Sequence, residues 1–348
     1  MSDHILASVR EAVSQKRPLK IVGGNSKAFY GRHIAGEELS VSGYQGIVSY
    51  EPTELVVTAR CGTPLSEVEE VLAEQNQMLP FEPPHFGEAT IGGMVACGLS
   101  GPARPYTGAV RDYVLGVRMI NGKGEDLTFG GQVMKNVAGF DVSRLMTGSL
   151  GTLGVILEVS FKLLPKPEAE LTLQLELDAK RAIEKMNQLA GQPLPITAAC
   201  HDDGRLNIRL AGFSSALESA RKTIGGETLE VGEAYWHSLR EQKHPFFLSD
   251  RPLWRIALPP AAEPLDLEGD CLIDWGGAQR WYRTDRPVEE IRQRVHARKG
   301  HATLFRHHGG ETDTFSPLSP GLKKIHQQLK QAFDPFGIFN RGKMYPDL

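Results

Sequence analysis

Apolar positions along the chain follow two periods, and the alternation between them divides it into elements. Residues 1–16 space their apolar side chains as a short amphipathic helix does. "LKIVGG" then reads as a buried strand ending in a glycine turn, and "GIVSY" and "ELVVTAR" as strands joined by a turn at Glu51-Pro52-Thr53. In "TPLSEVEEVLAEQNQML", Leu65, Val68, Val71, Leu72 and Leu79 fall on helical spacing. Thr63 is the expected cap of that helix, with Pro64 at its first position and Glu67 just beyond its first turn. "PFEPPHFGEATIGGMVACGLSGPARPYTG" shows neither period and is expected to be irregular. Two strands flank Asn121-Gly122-Lys123-Gly124, a hairpin signal. Another strand, "VILEVSFKLLP", precedes a stop at Pro165 and Pro167.

Beyond that stop the order becomes strand, helix, strand, strand, helix: "LTLQLEL", residues 179–190, "ITAACHDD", "RLNIRLAG" and residues 214–224. "LWRIALPP" and "CLIDWGGAQRWYR" add strands, and "VEEIRQRVHARKG" adds a helix. A last helix from Pro320 to about Phe333 leads into a turn-rich end. The fold class this predicts is α+β in two parts, with helices over one sheet face in the second. The expected boundaries are a first domain at 1–168, a second at 169–310 and a C-terminal helix and tail at 311–348. No internal sequence repeat is visible.

Composition narrows the function classes. The 348 residues are 41% hydrophobic and 23% charged, an ordinary balance for a soluble protein. A net charge of -3 offers no basic field for nucleic acid. Cys61, Cys97, Cys200 and Cys271 are far apart and form no CxxC pair, which argues against a local iron-sulfur or zinc motif and for reduced thiols in a cytosolic setting. "MSDHILASVREAV" has no apolar stretch of the signal-peptide kind, and no apolar run reaches the roughly 18 residues of a spanning helix.

The glycines then stand out. Gly23-Gly24-Asn25-Ser26 directly follows a strand, a second group runs from Thr90-Ile91-Gly92-Gly93 to Gly98 and Gly101, and a third lies in "KNVAGFDVSRLMTGSLGTLG". Each either turns the chain tightly or lets backbone approach a ligand. None is GxGxxG or GxxxxGKS/T, so neither a Rossmann fingerprint nor a P-loop is supported. Together, between β elements, they suit an extended, anionic, partly aromatic ligand such as a dinucleotide.

"IVGGNSK", the proline- and glycine-rich stretch from Pro80, "KNVAGFDVSRLMTGSLGTLGVILEVSFKLLPKP" and "LKQAFDPFGIFNRGKMY" occur in an order that resembles the vanillyl-alcohol-oxidase type of FAD-linked oxidases, with a PCMH-type FAD-binding domain. Within it, the chain is most similar to FAD-binding subunits of bacterial glycolate-oxidising dehydrogenases. The resemblance implies a two-part FAD domain, a smaller ferredoxin-like cap domain and a tail returning to the FAD domain. It assigns Gly23, Gly24, Asn25, Ser26 and Lys27 to the first pyrophosphate loop. Pro84, Ala89, Thr90, Ile91, Gly92 and Gly93 would pass beneath pyrophosphate and flavin, and Gly98, Ser100 and Gly101 would approach the ribityl chain and ring. Gly148, Gly151, Thr152, Gly154 and Val155 would close over the adenosine half, with Asn340 and Lys343 near the ring system. The first loop holds no histidine and none lies between His85 and His201, so the FAD is expected to be non-covalent.

Oxidising a 2-hydroxy acid needs a cation for the carboxylate, a base at the hydroxyl and a hydride acceptor. The candidates are Arg306, His307, His308 and Lys343, with His301 and Glu311 nearby; no metal site is expected, and adjacent histidines in a polar loop also read as local hydrogen-bonding residues. Lys135, Arg144, Arg104 and Arg111 could hold an anion or simply face solvent. Trp236, Trp254, Trp275 and Trp281 read as packing residues or a subunit contact. The resemblance further implies partners: a larger FAD-linked catalytic subunit, an iron-sulfur subunit, a small 2-hydroxy acid and, indirectly, quinone at the cytoplasmic side of the bacterial inner membrane. Two other readings stay open, an accessory flavin carrier or assembly subunit and a free-standing flavin oxidoreductase of another substrate.

Overall fold

The structure is a computed structural model and describes residues 1–131, 141–307 and 313–348. It has two compact units. One comprises Met1–Leu99, Ala109–Lys166 and Pro317–Leu348, the other Ser100–Gly108 and Pro167–Ser316. Ser100–Gly108, continuous in sequence with the glycine-rich segments, thus belongs to the second unit.

In the first unit, α1 (Ser2–Gln15) buries Ile5, Val9 and Ala12. Strands β1 (Leu19–Val22) and β2 (Glu37–Ser40) pair in parallel. Strands β3 (Ile47–Glu51), β4 (Val56–Arg60), β5 (Val114–Ile120), β6 (Asp126–Gly130) and β7 (Val155–Lys162) form an antiparallel sheet of order β3-β4-β7-β5-β6. The β5–β6 hairpin closes where "NGKG" predicts: the Asn121 carboxamide oxygen accepts from Lys123 N–H at 2.9 Å and Glu125 N–H at 3.1 Å. Helix α2 (Leu65–Glu74) buries Leu65, Val68 and Leu72 as its spacing requires. Its expected cap is different. Pro64 occupies the N-cap, while the Thr63 hydroxyl bonds Gly46, accepting from its N–H at 2.9 Å and donating to its carbonyl at 3.2 Å.

The stretch expected to be irregular contains α3 (Ile91–Cys97). Two glycines hid it from propensity. Thr90 caps it by accepting from Gly93 N–H, Ile91, Met94 and Val95 are buried, and Gly92 lies so close to Cys61 that a Cβ there would stand 2.7 Å from the Cys61 Cβ. The helix exists because tertiary burial and the cap outweigh the glycine cost.

The second unit is one antiparallel eight-stranded sheet. Its strands are β8 (Ala169–Glu176), β9 (Ile196–Asp202), β10 (Arg205–Gly212), β11 (Glu227–Thr228), β12 (Leu253–Ala257), β13 (Asp270–Asp274), β14 (Gln279–Arg283) and β15 (His301–Arg306), in the order β11-β8-β10-β9-β13-β14-β12-β15. The first half, with α4 (Ala179–Ala190) and α5 (Ser214–Ile224), has the ferredoxin-like order of fourth, first, third and second strand. The second half runs second, third, first and fourth, the same order reversed, joined through β9 and β13. Helix α6 (Val288–Ala297) matches α5 in place, but residues 258–269 replace the counterpart of α4. The topology therefore repeats although the sequence does not. In the second half Trp254, Ile256, Ala302 and Leu304 alternate inward under Ile291 and Val295 of α6.

Candidate functional site

In the first unit, the end of β1, the loop after it, α3, the loop before β7 and the C-terminal tail converge on an open cleft. The Gly23–Lys27 loop forms one wall. The amides of Gly23, Gly24, Asn25 and Ser26 donate to no protein acceptor among the described residues. Asn25 holds a left-handed φ of 58°, which turns successive N–H groups toward one side. Lys27 is buried at 8% exposure, with its ammonium donating to the His85 carbonyl at 3.0 Å and the Ser26 hydroxyl at 3.3 Å. The Phe86 ring centroid stands 5.6 Å from that ammonium. Lys20 and Lys343 also line the cleft, and no aspartate or glutamate is among its lining residues. Such a wall favours a polyanion. Ile21, Ile34, Val41, Leu150 and Ile156 supply apolar surface for an aromatic ligand.

The tail fixes the back of the cleft. Ile338 and Asn340 bracket β1, with Leu19 N–H donating to the Ile338 carbonyl at 2.7 Å and Asn340 N–H to the Leu19 carbonyl at 3.0 Å. The Asn340 carboxamide accepts from Ile21 N–H at 2.8 Å and donates to the Leu150 carbonyl at 2.7 Å, tying β1 to the third glycine loop. A Cβ on Gly151 would lie 2.6 Å from the Asn340 side-chain nitrogen, so glycine is required there by a protein contact. The Lys343 ammonium donates to the Ala28 carbonyl at 3.1 Å. Burial pulls its pKa below the ordinary lysine range; Cys97 opposes that shift and Lys20 adds to it. Burial pushes the Cys97 thiol up to about 11 and that of Cys61, also on the cleft, to about 12, so both are protonated near neutrality.

Of the residues assigned from sequence, Gly23, Gly24, Asn25, Ser26, Lys27, Thr90, Gly92, Gly93, Gly151, Gly154, Asn340 and Lys343 line the cleft. Ala89, Ile91, Thr152 and Val155 are buried behind it. Gly98 and Gly148 abut one another, and Pro84 is buried without lining the cleft. Ser100 and Gly101 lie in the second unit, where the Gly101 carbonyl accepts from the Trp275 indole at 3.0 Å. Arg306 ends β15 in that unit and His307 follows it; His308, Glu311 and Lys135 fall outside the described residues. Arg144 is exposed and 3.4 Å from Asp141, and Arg111 is exposed. Among the described residues no three histidine, cysteine or acidic side chains are grouped to hold a metal. The four tryptophans are all buried. Sequence reading missed Lys20, Tyr30, His33, Cys61, Cys97 and Leu150 on the cleft. Only Lys20 left a signal there, a charge inside an apolar strand just before the first glycine pair.

Residues 2–130 match the FAD binding domain family. The glycolate oxidase subunit GlcE of Escherichia coli is 51% identical over 348 residues, covering 100% of this chain and 98% of that protein. A D-lactate dehydrogenase of Archaeoglobus fulgidus is 29% identical, covering 99% of this chain and 89% of its own. Among solved structures, alkyldihydroxyacetonephosphate synthase superposes with a TM-score of 0.69 over 97% of this chain and 74% of that one, at 15% identity, a likeness of fold alone. The lining has the chemistry FAD calls for: loop amides without a protein acceptor and lysines suit an anion, and the apolar wall suits aromatic rings. With half of its residues identical from end to end to one such subunit, the protein belongs to the GlcE family of glycolate oxidase subunits, FAD-binding flavoproteins of PCMH-type fold.

Proposed function

We propose that this chain holds FAD non-covalently in the lysine-rimmed cleft and serves as the flavin subunit of a multi-subunit dehydrogenase that oxidises glycolate, and D-lactate with it, to the 2-oxo acid. The observation that carries this is the run of four acceptor-less amides at Gly23–Ser26 beside buried Lys27, in a chain half identical to a glycolate oxidase subunit. Bound FAD supplies a two-electron acceptor for the hydride of the α-carbon, which no side chain can provide. The protein's part is to bind and orient. Loop amides and Lys27 hold the pyrophosphate, Asn340 locks two cleft walls together, and Lys343 offers a positive charge to the polar edge of the ligand. Electrons then leave to an iron-sulfur subunit and on to quinone, since this chain's four cysteines are all free and widely spaced. No helix among the described residues is long and apolar enough to cross a membrane, in keeping with peripheral association at the cytoplasmic face of the bacterial inner membrane through partner subunits.

A second reading is supported by the cleft's composition. Among the described residues it has no lining carboxylate and His33 is its one lining histidine, leaving little to take the proton of a substrate hydroxyl. The flavin here would then serve as a relay or assembly element beside a larger catalytic subunit. One experiment separates the two. The purified chain is expected to be yellow and to release free FAD on denaturation; a colourless chain that takes up no added FAD would refute the cofactor site. Anaerobic glycolate should bleach the flavin if this subunit oxidises substrate, whereas bleaching only after the catalytic subunit is added would make it a relay.

Lys343 gives a pH signature. Its free-state pKa is depressed, so the ammonium is lost as pH rises through that depressed value, before the ordinary lysine range is reached. A polar, electron-rich ligand edge beside it raises the value again, so binding takes up a proton in that window. FAD affinity is therefore expected to weaken as pH rises through that window toward about pH 10. Lys343→Met should bind about tenfold more weakly at neutral pH and show a flatter profile. Equilibrium titration of the FAD-stripped chain checks both, and identical pH profiles for the two proteins would remove Lys343 from the site.

A further inference from the structure

The second unit carries a cationic and aromatic cluster that the cofactor cleft does not use. Partners across β12, β13, β14 and β15 share a sheet face, and two rows of that face run Leu272–Trp281–Arg255–Thr303 and Asp274–Gln279–Ala257–His301. This is the face opposite the one packed under α6. The Arg255 guanidinium carbon lies 5.0 Å from the Trp275 ring centroid and 6.0 Å from that of Trp281. Its Nε donates to the Gln279 carboxamide at 2.6 Å. That leaves both terminal nitrogens, the end of the fork that pairs with a carboxylate, without a partner among the described residues.

The surroundings hold that fork in place. Gln279 is 4% exposed and its own amide donates to Asp274 at 3.3 Å. Asp274 also accepts from Trp275 N–H at 2.7 Å, so the nearest buried carboxylate is already engaged. Trp275 sits at a φ of 53°, a conformation a bulky aromatic residue rarely adopts, and is followed by left-handed Gly276 and Gly277. Its indole is fixed by the Gly101 carbonyl, and the Arg104 guanidinium stands 4.4 Å from its ring. Burial, with Arg255 adding to it, holds the His301 imidazole below its usual range, so a neutral ring stands near the guanidinium at neutral pH.

We propose that Arg255 is the anchor of a small-carboxylate binding site on this sheet face, with Trp275 and Trp281 restricting the ligand's size and His301 within reach of its second polar group. A two- to four-carbon hydroxy acid has the right chemistry: a carboxylate for the fork, a short carbon body against indole, and a hydroxyl for the imidazole. The inference deepens the functional reading above and rests on it only for the identity of the acid.

Calorimetric titration of the full-length chain with glycolate and with oxalate tests it, with flavin content read from absorbance in the same samples. Both ligands are expected to bind the wild-type chain. Arg255→Met should weaken them at least about thirtyfold, the loss of one bidentate charge-assisted contact. Arg255→Lys, which keeps the charge without the fork, should fall between and decides the matter if the methionine variant does not fold. Flavin content should be unchanged in both. Wild-type affinity in the folded variants, no carboxylate binding by the wild-type chain, or equal binding of inorganic phosphate and chloride would each overturn the proposal. A colourless chain that takes up no added FAD yet still binds carboxylate through Arg255 would overturn the cofactor reading and leave this one standing.

Discussion

A Gly24→Ala chain is expected to be purified without flavin and to bind added FAD at least about a hundredfold more weakly than the wild type. A Cβ at this position would overlap the Glu88 carbonyl oxygen, and Glu88 cannot retreat cheaply. Its neighbour Ala89 donates to the Gly87 carbonyl at 3.0 Å and accepts from Leu65 N–H at 2.9 Å, while the Thr90 carbonyl caps α3 through Met94 at 2.8 Å. The overlap falls on backbone, so the first glycine loop itself must move, carrying its unpaired amides out of line. Overpacking of this kind costs about 1–3 kcal/mol in stability. The loss in affinity should exceed it, because binding depends on all the amides aiming together. Gly321→Ala is the matched control. It lies in the helix Pro320–Phe333 with open space around it, and should leave flavin content unchanged while adding up to about 1 kcal/mol. A yellow Gly24→Ala protein with wild-type affinity would show that the loop holds no ligand.

Asp334→Ala should be the most destabilising single change in the tail, by about 3–5 kcal/mol. Asp334 is 1% exposed, pairs with the Lys330 ammonium at 2.7 Å, and accepts from Ile338 N–H at 3.1 Å and Phe339 N–H at 2.8 Å. Removing it strands two amides and leaves a largely buried cation with only the carbonyls of Thr152 at 2.8 Å and Phe339 at 2.9 Å. The pH dependence has a definite sign. Burial lowers the Lys330 pKa and Asp334 draws it back up, so the variant's lysine is depressed further. Where the folded value lies below the unfolded one, the unfolded chain holds more protons and stability rises with pH. The deficit should therefore be full at neutral pH and shrink on the alkaline side. Urea unfolding at several pH values measures it, and adding Lys330→Met should restore part of the loss. A deficit independent of pH and of Lys330 would mean that the two amides alone account for it.

Much of this molecule is legible in its sequence, and the illegible parts share a cause. Periodicity finds α2 and the strands because their burial is one-sided and local, and Asn121-Gly122 finds the β5–β6 hairpin because the turn's chemistry is local. The helix at Ile91–Cys97 was missed because Cys61, thirty residues upstream, is what makes Gly92 acceptable there. Likewise Thr63 has the chemistry of a cap but spends its hydroxyl on Gly46, a partner that only the folded sheet supplies. For the cofactor cleft, the glycine loops are visible as motifs. The reason for several of them is not: Gly24 answers to Glu88 and Gly151 to Asn340, so part of the glycine requirement is loop against loop rather than loop against ligand. Arg255 was invisible as a site residue because its neighbours Trp275, Gln279 and His301 come from separate elements, and strand pairing alone brings them together.

The first unit is assembled from three stretches of chain, and its last stretch includes Asn340 and Lys343 on the cleft wall. During synthesis the residues of the Gly23–Lys27 loop emerge from the ribosome more than three hundred positions before the side chain that ties β1 to Leu150. Most of the second unit is made in between and has all its own strands before the tail appears. Vectorial folding thus runs out of sequence order, with the middle of the chain able to settle first. A nascent chain that ends before residue 338 lacks that tie between β1 and Leu150, so the back wall of the cleft is completed only when synthesis is nearly over.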